Sequence, residues 1–71
     1  MGKKEENYFG LKLREVRREK KMKQRDLSEA SGIHPAMISH LEKGRRLPTY
    51  DTIQTLATAL KINAGIFFQE A

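Results

Sequence analysis

Apolar residues recur at helical spacing along most of this 71-residue chain. The clearest runs are Phe9, Leu13 and Val16 at i, i+4, i+7, and Ile53, Leu56, Ala57 and Leu60 at i, i+3, i+4, i+7. Such spacing places the side chains on one face of an α-helix. No segment alternates apolar and polar residues over more than a few positions, so the pattern predicts no β-strand. We therefore expect an all-α domain.

The small size of the chain limits how it can be stabilised. A domain of this length buries only ~60% of the surface that its unfolded chain exposes. Because the sequence contains no cysteine, it can form neither a disulfide nor a thiolate zinc site. The core must come from packed helices, which a partner subunit would extend. We expect no cofactor and no metal, since His34 and His40 are six positions apart and do not share a helical face.

No apolar run approaches 18 residues, and the first ten residues lack the apolar centre of a signal peptide. We therefore expect no membrane association and a cytoplasmic, nucleoid-associated location.

Turn and cap residues divide the chain into five short helices. Lys20-Lys21 ends the first helix, and Gly32 ends the second. Pro35 suits the first turn of the third helix, which Gly44 closes.

Thr49 is a good N-cap for the fourth helix, expected at about 50–61, and a brief fifth helix is expected at about 64–69. Residues 1–7 are predicted to be a flexible arm of mixed charge, and residues 8–71 a single domain.

Positive charge is concentrated near the N-terminus. From Lys12 to Arg25 there are eight basic residues and two acidic ones, whereas residues 47–71 contain only Asp51, Lys61 and Glu70 as charged residues. This asymmetry predicts an N-terminal part that faces a polyanion and a C-terminal part used for packing or association. The alternative is a basic helix that is simply solvated.

Residues 24–44 form the most informative segment, with the helix-turn-helix predicted at about 24–43. It consists of two short helices joined by a turn of about four residues that contains Gly32. The small residues Ser28 and Ala30 allow the second of these helices to approach closely. These features predict a helix-turn-helix, whose second helix projects into the major groove of DNA.

This segment resembles the helix-turn-helix of lambda repressor-like regulators of the Cro and xenobiotic-response-element type. The matching residues include Phe9-Gly10, Arg17, Gln24, Leu27, Gly32-Ile33, Ile38-Ser39, Leu41-Glu42, Pro48-Thr49, Leu56-Ala57, Ala59-Leu60 and Phe67-Phe68. The resemblance implies a compact five-helix domain that is not an enzyme but a sequence-specific, double-stranded-DNA-binding transcriptional regulator. It further implies a homodimer on a near-palindromic operator, and it favours a repressor over an activator.

The resemblance also assigns roles to individual residues. Base contacts are expected from Pro35, Ala36, Ser39 and His40 on the third helix, and phosphate contacts from Lys23, Gln24, His34, Lys43, Arg45 and Arg46. Arg17 and Glu42 are expected to form an internal salt bridge that serves the fold.

Three lysines depart from the family pattern. Lys23 replaces the usual Ser or Thr cap, while Lys21 and Lys61 stand where Gly or Asn often ends a helix. Left-handed geometry at these last two positions would cost about 1 kcal/mol each.

An apolar patch is predicted near the C-terminus. Ile66 occupies a place that is usually polar and exposed in the family, and it lies beside Phe68 and near Tyr50. We expect these three residues to form a two-fold dimer interface. The alternative is that Ile66 is a surface residue or part of the core of the fifth helix.

A second function remains open, in which the same fold acts mainly on a protein partner. The partner would be a toxin held by an antitoxin, or RNA polymerase contacted by a coactivator, with DNA binding secondary. Asp26 and Glu29 resemble an activating patch of some relatives, although solvated charge is the interpretation that we favour for them.

Overall fold

The computed structural model describes residues 8–68, which form four α-helices and a terminal 3-10 helix. The helices are α1 (Tyr8–Glu19), α2 (Gln24–Ser31), α3 (Pro35–Glu42) and α4 (Tyr50–Leu60), followed by the 3-10 helix Ala64–Phe68. These described residues contain no β-strand, as the apolar spacing predicts, and none of their helices could cross a membrane. The predicted arm at residues 1–7 lies outside the described residues, as does the segment 69–71.

The fifth helical segment is a 3-10 helix of five residues and not a further α-helix. Asn63 caps it, because its carbonyl accepts from the Ile66 N–H at 3.0 Å and its Oδ1 accepts from the Gly65 N–H at 2.7 Å. Phe67 docks the segment onto the domain, with its ring centroid 4.9 Å from that of Phe9 on α1. The segment is therefore fixed by packing, since so short a helix has little stability of its own.

The core consists of one cluster of buried apolar side chains drawn from all five segments. Its members are Leu13, Val16, Leu27, Ile38, Leu41, Ile53, Leu56, Ala57, Leu60 and Phe67. All of them lie on the helical stripes read from the sequence or in the last helix. Met22, Ile33 and Met37 are half-buried and pack against its edge.

The helix-turn-helix is formed by α2 and α3, joined by residues 32–34. The turn begins at Gly32, which has a φ of 78° and donates its N–H to the Ser28 carbonyl at 2.8 Å. Helices α2 and α3 pack against each other. In addition, α2 packs against α4, and α3 packs against α1. The inner faces of α2 and α3 are therefore covered by other helices, and the outer face of α3 is left uncovered.

A buried ion pair ties α1 to the end of α3. The Nε of Arg17 lies 2.6 Å from Oε2 of Glu42, and its Nη2 lies 3.1 Å from Oε1. Nη1 of Arg17 also donates to the Met22 carbonyl at 2.8 Å. Since Arg17 is 8% exposed and Glu42 is 6% exposed, each charge depends on the other to offset its lost hydration.

Two helices end on lysines in the left-handed conformation. Lys21 has a φ of 58° and Lys61 a φ of 60°. Each lysine is followed by the 6→1 hydrogen bond of a Schellman motif. After Lys21 the Met22 N–H donates to the Arg17 carbonyl, and after Lys61 the Ile62 N–H donates to the Ala57 carbonyl. The strain anticipated at both positions from the sequence is therefore present.

Replacing either left-handed lysine with glycine should stabilise the domain. Lys21→Gly and Lys61→Gly should each raise the free energy of unfolding by about 1 kcal/mol, because glycine has no Cβ to clash at positive φ. For a domain of this size the melting temperature should rise by about 4–8 °C. Thermal unfolding followed by circular dichroism measures this shift. Lys21→Ala and Lys61→Ala are the matched controls, since they remove the charge but keep the strain. An equal gain in the alanine variants would contradict the explanation.

The buried ion pair should be costly to break and cheap to replace. Glu42→Leu should lower the free energy of unfolding by about 3–5 kcal/mol, because it leaves the Arg17 guanidinium buried without a counter-charge. The double variant Arg17→Met with Glu42→Leu should recover most of that loss. Urea unfolding of the two variants tests this expectation, and a double variant no more stable than the single one would refute it.

Candidate nucleic-acid interface

The recognition helix of the predicted motif, α3, has two distinct faces. Ile38 and Leu41 are buried in the core. The opposite face carries the residues predicted to contact bases, which are Pro35, Ala36, Ser39 and His40. These positions are spaced i, i+1, i+4, i+5, and so they lie together one helical turn apart. Pro35 and Ala36 are exposed, and the other two side chains are half-buried.

The outer face of α3 combines apolar and hydrogen-bonding groups and carries no Lys, Arg, Asp or Glu side chain. Pro35 and Ala36 present only carbon, which suits apolar contact, whereas Ser39 and His40 can donate and accept hydrogen bonds. Among residues 8–68 no three side chains of the His, Cys, Asp and Glu types are grouped so as to hold a metal ion.

His34 caps the start of α3. Its Nδ1 accepts the backbone N–H of Ala36 at 3.0 Å, and Pro35 occupies the first helical position, where no N–H is needed. A neutral imidazole that accepts at Nδ1 carries its hydrogen on Nε2, so His34 retains one N–H donor. The predicted phosphate contact is thus placed at the helix start, in an exposed position.

The start of α2 has half of a capping box. The Asp26 carboxylate accepts the backbone N–H of Lys23 at 2.8 Å, which gives Asp26 a local structural role. The Lys23 ammonium has no acceptor with which to cap the helix in return. The first-turn N–H groups of α2 therefore have no side-chain cap from Lys23, and this helix end carries both the exposed Lys23 ammonium and the Asp26 carboxylate.

A hydrogen bond that sequence reasoning did not anticipate joins the start of α2 to the end of α3. Gln24 Nε2 donates to Glu42 Oε1 at 3.0 Å. The two residues are 18 positions apart, and no local pattern relates them. The bond brings the predicted phosphate contacts Lys23 and Gln24 to the same end of the motif as Lys43.

The chain reverses direction directly after α3. Gly44 has a φ of 76°, and the Arg45 N–H donates to the His40 carbonyl at 2.9 Å. Lys43, Arg45 and Arg46 are all exposed on this turn. The ion pairs formed by residues 8–68 are Lys12–Glu15 and Arg17–Glu42, so acidic partners do not neutralise these cations.

The predicted dimer patch is only partly exposed. Tyr50 is 68% exposed and Phe68 is 59% exposed, but Ile66 is half-buried and packs against the core. The expectation that Ile66 is exposed was wrong, because the 3-10 helix turns this side chain inward beside Phe67. Leu47, at 79% exposed, was missed because it lies in a loop outside any apolar stripe.

Comparison with known proteins gives consistent matches. A family model described as helix-turn-helix matches residues 13–67. The HTH-type transcriptional repressor RghR of Bacillus subtilis is 46% identical over 55 residues, which are 76% of this chain and 41% of RghR. The uncharacterised HTH-type regulator y4dJ of Sinorhizobium fredii is 39% identical over 54 residues, covering 76% of this chain and 70% of y4dJ. The chain thus spans about 40% of the length of RghR and of the uncharacterised HTH-type transcriptional regulator RghRB of the same organism.

Two solved structures share the architecture. The restriction-modification controller protein C.AhdI from Aeromonas hydrophila superposes with a TM-score of 0.86 at 34% identity, covering 90% of this chain and 97% of C.AhdI. The clp gene regulator ClgR from C. glutamicum superposes with a TM-score of 0.84 at 28% identity, covering 89% and 82%. The fold is therefore lambda repressor-like. Together with the match over residues 13–67, it shows that the chain belongs to the helix-turn-helix family HTH_3, of the xenobiotic-response-element type.

Proposed function

We propose that this chain binds double-stranded DNA sequence-specifically and regulates transcription, with α3 in the major groove. The observation that carries the proposal is the uncharged outer face of α3, flanked by exposed cations on the neighbouring turns. Uncharged groups suit the reading of base edges, whereas cations suit phosphates. An α-helix with its side chains is about 10–12 Å across, so α3 fits the ~12 Å width of the major groove.

Each group of residues takes a separate task. Pro35 and Ala36 would contact a thymine methyl, while Ser39 and His40 would hydrogen-bond to base edges or, for Ser39, a phosphate. Phosphates would be held on both sides of the groove by Lys23, Gln24, His34, Lys43, Arg45 and Arg46. The N-terminus of α2, beside Gln24, adds partial positive charge on one side.

We further propose that the protein is a repressor and acts as a homodimer. The name of RghR, a transcriptional repressor, supports the direction of regulation. The exposed side chains of Tyr50 and Phe68 support self-association, because a domain this small gains from covering apolar surface. A two-fold dimer would bind a near-palindromic operator whose half-sites lie about 34 Å apart.

A salt titration separates DNA readout from the alternative of a protein-binding module. A random pool of duplexes is first selected for bound sequences. The association constant for the most enriched duplex is then measured at several salt concentrations. The slope of its logarithm against the logarithm of salt concentration should be about −0.9 for each cation that contacts a phosphate. Lys23, Lys43, Arg45 and Arg46 would give about −3.6 per subunit. Failure to enrich any sequence, together with weak binding to all duplexes, would favour the protein-binding module.

His40 and Arg46 should respond differently to substitution. His40→Ala should cost about 1–3 kcal/mol on the selected site and relax preference at one base pair, because it removes a base contact. Arg46→Gln should weaken all duplexes by a similar factor and flatten the salt slope by about 0.9, because it removes a phosphate contact. Fluorescence anisotropy on matched and single-mismatch duplexes measures both. A base-specific loss for Arg46→Gln would contradict its assignment.

Substitution at the apolar patch should dissociate the dimer. We expect wild type to sediment as a dimer at micromolar concentration and Phe68→Lys to sediment as a monomer, because a charge would be buried in the interface. Leu11→Lys is the matched control, since Leu11 is 52% exposed on α1, outside the patch, and its substitution should leave the dimer intact. A monomeric wild type would disprove the proposed interface.

A further inference from the structure

The Glu42 carboxylate is the meeting point of three parts of the fold. It lies at the end of α3 and accepts two hydrogen bonds from Arg17 on α1. Its Oε1 accepts a third bond, from Gln24 at the start of α2. The ion pair with Arg17 explains why Glu42 is buried, but it does not require the bond to Gln24, which comes from a different helix.

This third bond fixes the orientation of the Gln24 amide. An ionised carboxylate can only accept hydrogen bonds, so Gln24 must turn its NH2 group, and not its carbonyl, towards Glu42. One N–H is then held at 3.0 Å from Oε1. The second N–H of the same group is left to donate to a ligand at the positive end of α2, with its direction already set.

The bond also links two regions of the proposed interface. Gln24 begins α2, and Glu42 ends the helix proposed to read bases. Because Glu42 is 6% exposed and paired with Arg17, its carboxylate is held in one orientation. The position of the Gln24 amide is thereby fixed relative to α3.

We propose that Glu42 is a positioning residue for DNA binding: it holds the Gln24 amide ready for a backbone phosphate and in register with α3. This inference rests on the proposed function. The carboxylate touches no DNA and acts through Gln24. A glutamine released from the bond would have to be ordered at the moment of binding, which opposes association.

A double-mutant cycle tests the coupling. Gln24→Ala is made in the wild type and in the variant that carries both Arg17→Met and Glu42→Leu. That paired variant removes one positive and one negative charge, so the net charge and the salt slope should not change. We expect Gln24→Ala to weaken binding to the selected operator by about tenfold in the wild type. In the paired variant the same change should weaken binding by less than about twofold, because the Gln24 amide has already lost the hydrogen bond that orients it.

Arg46→Gln provides the matched control for the cycle. It should weaken binding by the same factor in both backgrounds, since Arg46 lies on the turn after α3 and forms no bond with Glu42. Equal losses for Gln24→Ala in the two backgrounds would overturn the positioning role. If the Arg46 change also became non-additive, a general distortion of the domain would explain the result and the positioning role would be rejected.

A second measurement needs no variant and no DNA. In the wild-type protein, 15N relaxation of side-chain NH2 groups should show Gln24 to be rigid and Gln54 to be mobile, because the Gln54 amide bonds to an exposed tyrosine on α4. Equal mobility of the two amides would overturn the proposal even if the paired variant failed to fold. A wild type that selects no operator would overturn the proposed function, whereas an operator-binding protein with an additive cycle would overturn the positioning role alone.

Discussion

The relative placement of α1, α2 and α3 depends on one buried carboxylate. Glu42, on α3, accepts hydrogen bonds from Arg17 on α1 and from Gln24 on α2, and so it joins the three helices. Hydration lost by the two ions is offset by the pair itself and by the hydrogen bonds to the Met22 carbonyl and from Gln24, since the surrounding cluster is apolar. The relative positions of the three helices are therefore specified more closely here than apolar packing alone would specify them, because a hydrogen bond tolerates less displacement than contact between methyl groups.

The helix ends are a separate source of local specification. Thr49 and His34 supply acceptors that satisfy the first N–H groups of α4 and α3, while Asp26 satisfies the N–H of Lys23. At the C-terminal ends, Lys21 and Lys61 retain left-handed geometry at an energetic cost. The domain thus combines capped starts of α3 and α4 with strained ends of α1 and α4, and its stability is below what the same backbone could support.

Much of the fold follows from the sequence because it is encoded locally. Helix α4 shows this well, since an N-cap threonine and an apolar stripe are both visible in its sequence. The segment after Asn63 was less predictable, because its 3-10 form and the inward turn of Ile66 depend on docking of Phe67 against the distant Phe9.

Similar reasoning applies to the candidate site. The outer face of α3 follows from helical spacing, whereas the bond between Gln24 and Glu42 depends on how two helices cross. Apolar periodicity does not encode that crossing. The left-handed strain at Lys21, by contrast, was foreseeable, since a residue with a side chain stands where the Schellman geometry favours glycine.

The left-handed lysines have a consequence for the lifetime of the protein in a cell. A domain with strained helix ends opens more often than its core would require, and proteases cleave the opened chain. Any ligand that binds only the folded form reduces the open population by mass action. Bound molecules would then be cleaved more slowly than free ones.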